Sequence, residues 1–392
     1  MIGRRVTILL AALLLIPCAA ATVFSSEEAA YKYARSAVEK ARIGNFKEAI
    51  DDLKAARLYD PSNRIITKNL AIIYNNYGME LMKKGDISQA IEKFESALSY
   101  DRDDPITLYN LGVGYYKIQN MARAKRFLER AHALKPEMQG VAELLEKAGR
   151  ETAIEKDFEK TDTQHFIIAS SDDIPVEKLS YIRTWLEEAY GRVGAFLDHY
   201  PKNKIIVILY SEANYDAMLR GRPHWTLAVF DGKVRIPVNK FKYTNEDVIR
   251  ILYHEYAHAV TFGIAGNKCP LWVSEGIAGK AEDLAGMRNA GIVRDNINAA
   301  AVYHIREMPR DFARIKDVRL ATSLYAQSYL LIDFIVNRVG PSGLRSMLAR
   351  LRDGQSAEHA IEALFDRDIE QFERDLEGYI KERYGITGIV YS

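Results

Sequence analysis

The chain contains 392 residues, of which 48% are hydrophobic and 27% are charged, with 24 Gly, 11 Pro and 2 Cys. At roughly 150 residues per domain, this composition predicts two or three folded units with apolar cores, and it excludes a disordered, collagen-like or disulfide-stabilised protein. The formal net charge is +1 and no Lys- or Arg-rich block dominates any segment, which argues against a nucleic-acid partner.

The first 21 residues have the features of an export signal. Two arginines precede an apolar run over residues 6–16, and residues 19–21 are the small alanines that a cleavage site needs. An uncleaved N-terminal anchor is one alternative, and a lipoprotein with an acylated Cys18 is another, although Pro17 stands where that motif has a small residue. We therefore predict an exported protein, periplasmic or associated with the cell envelope, that meets a membrane only through an uncleaved signal or a lipid anchor.

A period of 34 residues relates residues 71–104 to residues 105–138, and an earlier copy over about residues 30–63 is followed by a seven-residue insertion. Small and apolar residues recur at this spacing: Gly78 with Gly112, Ala90 with Ala124, Phe94 with Leu128, and Ala97 with Ala131. The pattern resembles the tetratricopeptide (TPR) repeat. The resemblance implies an α-helical solenoid over residues 22–158, ending in a capping helix, whose variable surface positions would dock a substrate or a protein partner.

Composition changes after residue 158. Two short β-rich runs flank an amphipathic helix, and a further β-rich segment carries an Asp-Gly hairpin signal. These segments are residues 165–170, 176–199, 204–211 and 226–238. Because the pattern from residue 245 onward is helical, a small sheet followed by helices predicts an α+β domain over residues 159–392.

Residues 254–258 read His-Glu-Tyr-Ala-His, an HExxH motif in a segment whose apolar residues recur at helical spacing. Two imidazoles at positions i and i+4 lie on one helix face, close enough to bind a single tetrahedral metal ion. Glu255 projects beside them and can hold and deprotonate a water molecule. The motif predicts His254 and His258 as metal ligands and Glu255 as catalytic base; the alternative is a solvated helix with ordinary ion pairs.

A third ligand is predicted on the next helix, which begins near Leu271 after a loop rich in Gly, Asn and Pro. His258 lies five residues before Gly263, and Glu275 lies five residues after Pro270. At a rise of 1.5 Å per residue each of these two helical segments is about 7.5 Å long. An antiparallel helix pair therefore returns Glu275 to the level of the histidines. Two His and one Glu leave a fourth position open, which is typical of catalytic zinc sites.

The segment over residues 272–278, which reads W-x-x-E-G-x-A, combines with the preceding HExxH motif into a larger pattern. This pattern resembles the gluzincin metallopeptidases of the peptidase MA-like group, and the likeness covers about residues 160–384. It implies a zincin-like α+β metallopeptidase domain that binds one Zn²⁺ per chain through the two histidines and Glu275. It also implies that Glu255 is the general base and proton shuttle.

The chain departs from the family pattern at one position. In thermolysin-like relatives an Asp four residues past the glutamate ligand orients a histidine, whereas this chain has Gly279 there. Glu282 or Asp283 would have to take over that role. Loss of such an orienting group costs typically 10–100-fold in metal affinity or activity, so the departure bears on whether the site is active.

Related enzymes stabilise the oxyanion with a Tyr or His from a later helix. Residues 325–329 read Tyr-Ala-Gln-Ser-Tyr and resemble that helix, so Tyr325 is the candidate for this role. Tyr329 and His304 are the next candidates. Simple packing of a helix-face aromatic against the core is an equally open interpretation of Tyr325.

Together these features predict an exported zinc-dependent metallopeptidase that hydrolyses peptide bonds, with the TPR module docking a substrate or partner. The hairpin over residues 226–238 would either supply an edge strand for an extended peptide or simply cover the core. A catalytically weak or inactive zinc-binding TPR adaptor is the main alternative. A non-peptide amidase acting on cell-wall material is a weaker one, suggested only by the predicted export.

Overall fold

The computed structural model describes residues 26–218, 229–230, 232–238, 244–287, 290–297, 302–309, 315, 317–387 and 389. The predicted signal over residues 1–21, including Cys18, lies outside the described residues, so export and lipidation stay predictions. Within these ranges, no helix combines the length and apolarity that crossing a bilayer requires.

The N-terminal part of the described chain consists of helices joined by short turns. They are α1 (Ser26–Arg42), α2 (Phe46–Tyr59), α3 (Arg64–Lys83), α4 (Ile87–Tyr100), α5 (Pro105–Lys117), α6 (Met121–Leu134) and α7 (Val141–Glu155). The turns inside the three helix pairs adopt a left-handed backbone at Gly44, Gly85 and Gln119, with φ of 83°, 84° and 59°. These positions have the predicted spacings of 41 and 34 residues.

The seven-residue insertion lengthens one helix. Helix α3 has 20 residues and its counterpart α5 has 13, so α3 begins at Arg64 instead of near residue 71. Residues related by the 34-residue period make equivalent contacts: a Cβ atom on Gly78 would lie 2.5 Å from the Phe94 ring, and one on Gly112 would lie 2.7 Å from Leu128. The small residues therefore allow each pair of helices to pack closely.

The described residues fall into two compact units. One comprises the residues up to Tyr77 together with Ser96–Arg102, and its core contains the fully buried Ala37, Leu53 and Leu70. The other comprises residues 78–95 and the described residues from 103 onward. The third helix pair and α7 therefore belong to the same compact unit as the sheet and the HExxH motif.

A small mixed sheet follows α7, with the strand order β1-β2-β3-β5-β4 among the described residues. Its strands are β1 (Glu159–Asp162), β2 (Phe166–Ser170), β3 (Ile205–Tyr210), β4 (Val229–Phe230) and β5 (Val234–Pro237). Strands β2, β3 and β5 are parallel, while β1 and β4 pair antiparallel at the two ends. The strands predicted over residues 165–170 and 204–211 are confirmed, and the described part of the predicted hairpin forms the antiparallel pair β4–β5, while residues 226–228 and 231 lie outside the described residues. Strand β1 was not predicted, because its sequence EKTD has no apolar alternation.

The remaining elements are helical, as the pattern after residue 245 predicts. They are α8 (Val176–Leu197), α9 (Glu212–Met218), α10 (Asn245–Ala265), α11 (Leu271–Leu284), α12 (Ala290–Ile297), α13 (Val318–Arg352), α14 (Ala357–Phe365) and α15 (Ile369–Tyr384). Helix α13 is kinked at Gly340, which has a φ of 70° and precedes Pro341.

Both faces of the sheet are covered. Val207 and Val234 on one face belong to the main core, which includes Leu186 of α8 and Leu252 of α10. On the other face, a second cluster contains Ala169, Ile206, Ile208 and Tyr210 of the sheet, Ile154 of α7, and Tyr215 of α9. The TPR-capping helix is thus also an outer layer of the sheet.

Candidate metal centre

Helix α10 carries the HExxH motif in its middle. It begins with a capping box in which Thr244 Oγ1 accepts from Asp247 N and Asp247 Oδ2 accepts from Thr244 N. Apolar residues at helical spacing, such as Leu252 and Val260, bury the opposite side of the helix. The His254 and His258 rings share one face, with ring centroids 4.8 Å apart.

Helix α11 returns alongside α10, as the spacing predicts. The connection turns at Gly266, whose φ of 64° favours glycine. Glu275 Oε2 lies 3.4 Å from His254 Nε2 and 3.6 Å from His258 Nε2. The structure therefore brings together the two imidazoles and the carboxylate that the sequence selects as ligands.

The distances of Glu275 Oε2 from the two imidazole nitrogens suit a zinc ion. Zinc binds His N and Glu O at about 2.0–2.2 Å in a tetrahedron, so neighbouring ligand atoms should lie about 3.3–3.6 Å apart. Both distances from Glu275 Oε2 agree with this range. The oxygen is buried and has no hydrogen-bond partner among the described residues, which is typical of a ligand atom reserved for a metal. The donor set of His254, His258 and Glu275 thus fits zinc.

Glu255 lies beside the histidines but differs from Glu275 in its setting. Ligand atoms of His254, Glu255 and His258 all lie within 4.8 Å of one another. Glu255 is 5% exposed, and its Oε2 is buried without a hydrogen-bond partner in the described part of the chain. Burial raises the pKa of this carboxyl, although the two histidines oppose the shift. A carboxyl whose pKa moves toward neutrality is suited to accept and return a proton.

Burial and ion pairing act in opposite directions on the pKa values of Glu275 and His254. Burial by itself would raise the pKa of Glu275, but interactions with His258 and His254 lower it to about 2. Burial would likewise lower the pKa of His254, but Glu275 and Glu282 raise it well above its usual value. A cation in this pocket would therefore face a carboxylate that is ionised at neutral pH.

Two side chains orient the imidazoles by contacting their Nδ1 atoms. Glu282 Oε1 lies 2.8 Å from His254 Nδ1, and Ser274 Oγ lies 2.8 Å from His258 Nδ1. These contacts engage the ring nitrogens that do not face Glu275. Hydrogen bonds of this kind select the tautomer and the ring orientation of a metal-binding histidine.

Of the two acidic residues proposed to replace the missing Asp, Glu282 contacts the histidine. Asp283 instead accepts hydrogen bonds from Lys280 Nζ at 2.6 Å and from the Tyr329 hydroxyl at 2.7 Å. A Cβ atom on Gly279 would lie 3.1 Å from the Tyr329 ring. Position 279 is therefore crowded by α13, and the orienting carboxylate comes from one turn further along α11.

The three oxyanion candidates occupy different surroundings. Tyr325 lies on α13, half-buried against the main core. Tyr329 donates its hydroxyl to Asp283, and His304 Nδ1 lies 2.7 Å from Glu373 Oε2. Tyr329 and His304 are therefore engaged in structural contacts, and the catalytic role of Tyr325 stays a prediction.

The hairpin places an edge strand near the motif helix. Strand β4 ends the sheet within the described residues, and both β4 and β5 contact α10. Asp231, the first residue of the predicted turn, lies outside the described residues, whereas Gly232 has the positive φ of 97° that a tight turn requires. The sheet edge is thus close to the helix that carries Glu255.

Two family profiles match parts of this chain. Residues 201–382 match the sequence profile of the Peptidase MA superfamily, and residues 78–119 match that of a TPR repeat. Among solved structures, the first TPR of Spaghetti (RPAP3) bound to the HSP90 peptide SRMEEVD is similar at 19% identity and a TM-score of 0.25. That similarity covers 32% of this chain and 95% of the other. No curated protein matches the chain.

Proposed function

We propose that this chain, which joins TPR repeats to a Peptidase MA superfamily domain, is a zinc-dependent metallopeptidase of the gluzincin type. The observation that carries the proposal is the convergence of His254, His258 and Glu275 at zinc-ligand spacing, with Glu255 buried beside them. Two histidines and one carboxylate leave the open coordination position that catalysis needs.

Hydrolysis then depends on proton transfer by Glu255. When bound, zinc would supply Lewis-acid polarisation of the scissile carbonyl. Glu255 takes a proton from the attacking water, whose oxygen adds to the carbonyl carbon. Glu255 then returns the proton to the amine nitrogen as the C–N bond breaks. Glu282 and Ser274 hold the two imidazoles in orientation during this cycle.

The substrate we propose is an extended peptide or a protein segment. Among the described residues β4 is the last strand of the sheet, and its outer side would offer backbone groups to which such a segment could add as a further strand. The TPR helices would dock the substrate or a protein partner through the variable surface positions of the repeats. The N-terminal residues support an exported, cell-envelope location for this activity.

The test combines metal content with peptide cleavage. We expect about one zinc per wild-type chain after dialysis against a weak chelator, and far less in Glu275→Ala. We expect a mixed peptide library to be cut by the wild type, and Glu255→Gln to retain zinc while its kcat falls by about 10²–10⁴-fold. Glu246→Gln, an exposed carboxylate at the start of α10, is the matched control.

Each result separates the alternatives. Zinc without cleavage of any peptide would favour the non-catalytic TPR adaptor. Cleavage of peptidoglycan fragments but not of the peptide library would favour an amidase. Absence of zinc from the wild type would refute the metal site itself.

A further inference from the structure

Strand β5 is buried on both faces, although only one of them is apolar. Val234 and Ile236 belong to the main core, on the side where β5 contacts α10. Lys233 and Arg235 alternate with them and are only 1% and 2% exposed. Charged side chains are rarely buried so completely without partners, so the layer over this second face must supply compensating groups.

Carboxylates of helix α7 supply them. Lys233 Nζ lies 3.0 Å from Glu151 Oε2, and Arg235 Nη2 lies 2.9 Å from Glu151 Oε1. Arg235 Nη1 lies 2.9 Å from Glu155 Oε1. These four side chains, which we call the α7–β5 ion cluster, comprise two cations and two carboxylates and are formally neutral as a group.

Tyrosines from two other elements complete the contacts. The Tyr116 hydroxyl of α5 donates to Glu151 Oε1, and Lys233 Nζ lies 3.9 Å from the centre of the Tyr116 ring. The Tyr210 hydroxyl of β3 donates to Glu155 Oε1. The last helix pair of the TPR region and its capping helix therefore hold β5 through directional contacts, not through apolar packing alone.

Directional contacts restrict the position of β5 more than packing would. A shift of the strand by one residue, about 3.3 Å, would separate each cation from its carboxylate and turn Val234 and Ile236 away from the core. Breaking a buried ion pair is strongly unfavourable, although an intact pair adds little net stability compared with apolar residues. The cluster therefore specifies the position of β5 against α7.

We infer that Arg235 and Glu155 are positioning residues through which the TPR-capping helix holds the sheet edge beside the HExxH helix. Strand β5 pairs with the edge strand β4 in the register Val229↔Arg235 and Phe230↔Val234. A restraint applied to β5 by α7 thus passes to β4 on one side and to α10 on the other. The consequence for substrate binding rests on the proposed function, whereas the restraint itself does not.

The first test is amide hydrogen exchange over residues 229–238 in the full-length protein. We expect Glu155→Gln to raise the exchange rate there by about tenfold or more. The variant loses the ion pair between Glu155 and Arg235, so that β4 and β5 open locally more often. Glu146→Gln is the matched control, since Glu146 is an exposed carboxylate of the same helix that pairs with Arg150 at the surface. This control should exchange like the wild type.

A paired variant, Arg235→Met with Glu155→Leu, covers the case in which Glu155→Gln does not fold. Replacing a buried ion pair by apolar side chains of similar size usually preserves stability, so this variant should fold and still show the faster exchange. Exchange equal to that of Glu146→Gln in whichever variant folds would overturn the inference. Failure of both variants to fold would also overturn it, because the α7–β5 ion cluster would then be required for folding and not only for positioning β5.

Peptide cleavage gives a second measurement. For Glu155→Gln or the paired variant we expect KM to rise about tenfold while kcat and zinc content stay within about twofold, because the edge binds substrate without touching the reacting atoms. Equal losses in kcat and zinc content would instead indicate damage to the metal centre and contradict a positioning role. If the wild type cleaves no peptide, the proposed function fails, and hydrogen exchange still decides the inference.

Discussion

Glu282 of α11 selects the tautomer of His254, a predicted metal ligand on the neighbouring helix α10. It lies seven residues after Glu275, about two helical turns, so both carboxylates face α10. Because Glu282 accepts a hydrogen bond at His254 Nδ1, it favours the tautomer whose Nε2 is free to bind a metal. A second contact, from Arg250 Nη1 at 3.8 Å, helps to hold the Glu282 carboxylate in place.

Replacing Glu282 by Gln should therefore weaken zinc binding while leaving the fold intact. Gln has the same size but carries no charge, and loss of such an orienting partner raises the zinc dissociation constant by about 10–100-fold. Competition with a chromophoric chelator measures this change. Glu246→Gln on α10 should bind zinc like the wild type, and an unchanged affinity in Glu282→Gln would contradict the role of Glu282.

Gly276, which follows the predicted metal ligand Glu275, lets two helices approach each other closely. A Cβ atom there would lie 2.2 Å from the backbone oxygen of Ser328 on α13, a contact that no side-chain rotation relieves. We expect Gly276→Ala to lower the free energy of unfolding by about 1–3 kcal/mol, because α11 and α13 must separate.

Gly378 on α15 provides the matched control for this substitution. No atom lies within 4 Å of the position that its Cβ would take, so Gly378→Ala should raise stability by up to about 1 kcal/mol through helix propensity. Denaturant unfolding of both variants checks the pair. Destabilisation of equal size in the two proteins would refute the steric explanation.

Asp333 of α13 links its own helix to α11 and α15. Its carboxylate accepts hydrogen bonds from Lys280 of α11 at 2.9 Å and from Tyr379 and Tyr384 of α15, each at 2.6 Å. Burial by itself would raise the pKa of Asp333, but these three donors lower it. The ionised form is therefore the one that the folded structure stabilises.

Asp333→Asn should cost about 2 kcal/mol of unfolding free energy at neutral pH, because Lys280 keeps Asp283 but loses Asp333, and two tyrosine hydroxyls lose a charged acceptor. A depressed folded-state pKa contributes stability above the unfolded pKa of about 3.9 and loses it as pH falls below that value. The difference between wild type and variant should thus shrink below about pH 4. Urea unfolding at several pH values measures it. Asp375→Asn, at a surface pair with Arg367, should show neither effect.

The compact unit that contains the HExxH motif begins before the predicted domain boundary at residue 159. Helix α7 covers one face of the sheet, and its carboxylates pair with Lys233 and Arg235. A protein that starts at residue 159 would expose this face and leave both cations without those partners. We expect its melting temperature to fall by about 10 °C or more relative to a protein that starts at residue 103.

Calorimetry of the two shortened proteins checks this expectation, with zinc content as a second measurement. The protein that starts at residue 103 keeps the third helix pair and α7, and it should bind zinc like the full chain. Equal melting temperatures would show that the residues from 159 onward fold independently of α7.

Local patterns were enough to predict much of this protein. Helical periodicity around HExxH identifies α10, and the loop length predicts the antiparallel α11, so the sequence alone places Glu275 beside the histidines. The 34-residue period locates the helix pairs and matches Gly78 with Gly112, and the contacts that the two glycines make come from the structure. In each case the informative residues lie close together in the chain, where helix and turn geometry leave few alternatives.

Longer-range contacts were decided only by the tertiary structure. Glu282 and Asp283 are adjacent acidic residues, and only the packing of α13 against α11 shows which of them contacts His254. Lys233 and Arg235 look like solvent-facing residues of an amphipathic strand, and their burial depends on Glu151 and Glu155, about 80 residues away. Sequence patterns report whether a face is polar, whereas the compensation of a buried charge depends on partners that only the folded chain brings together.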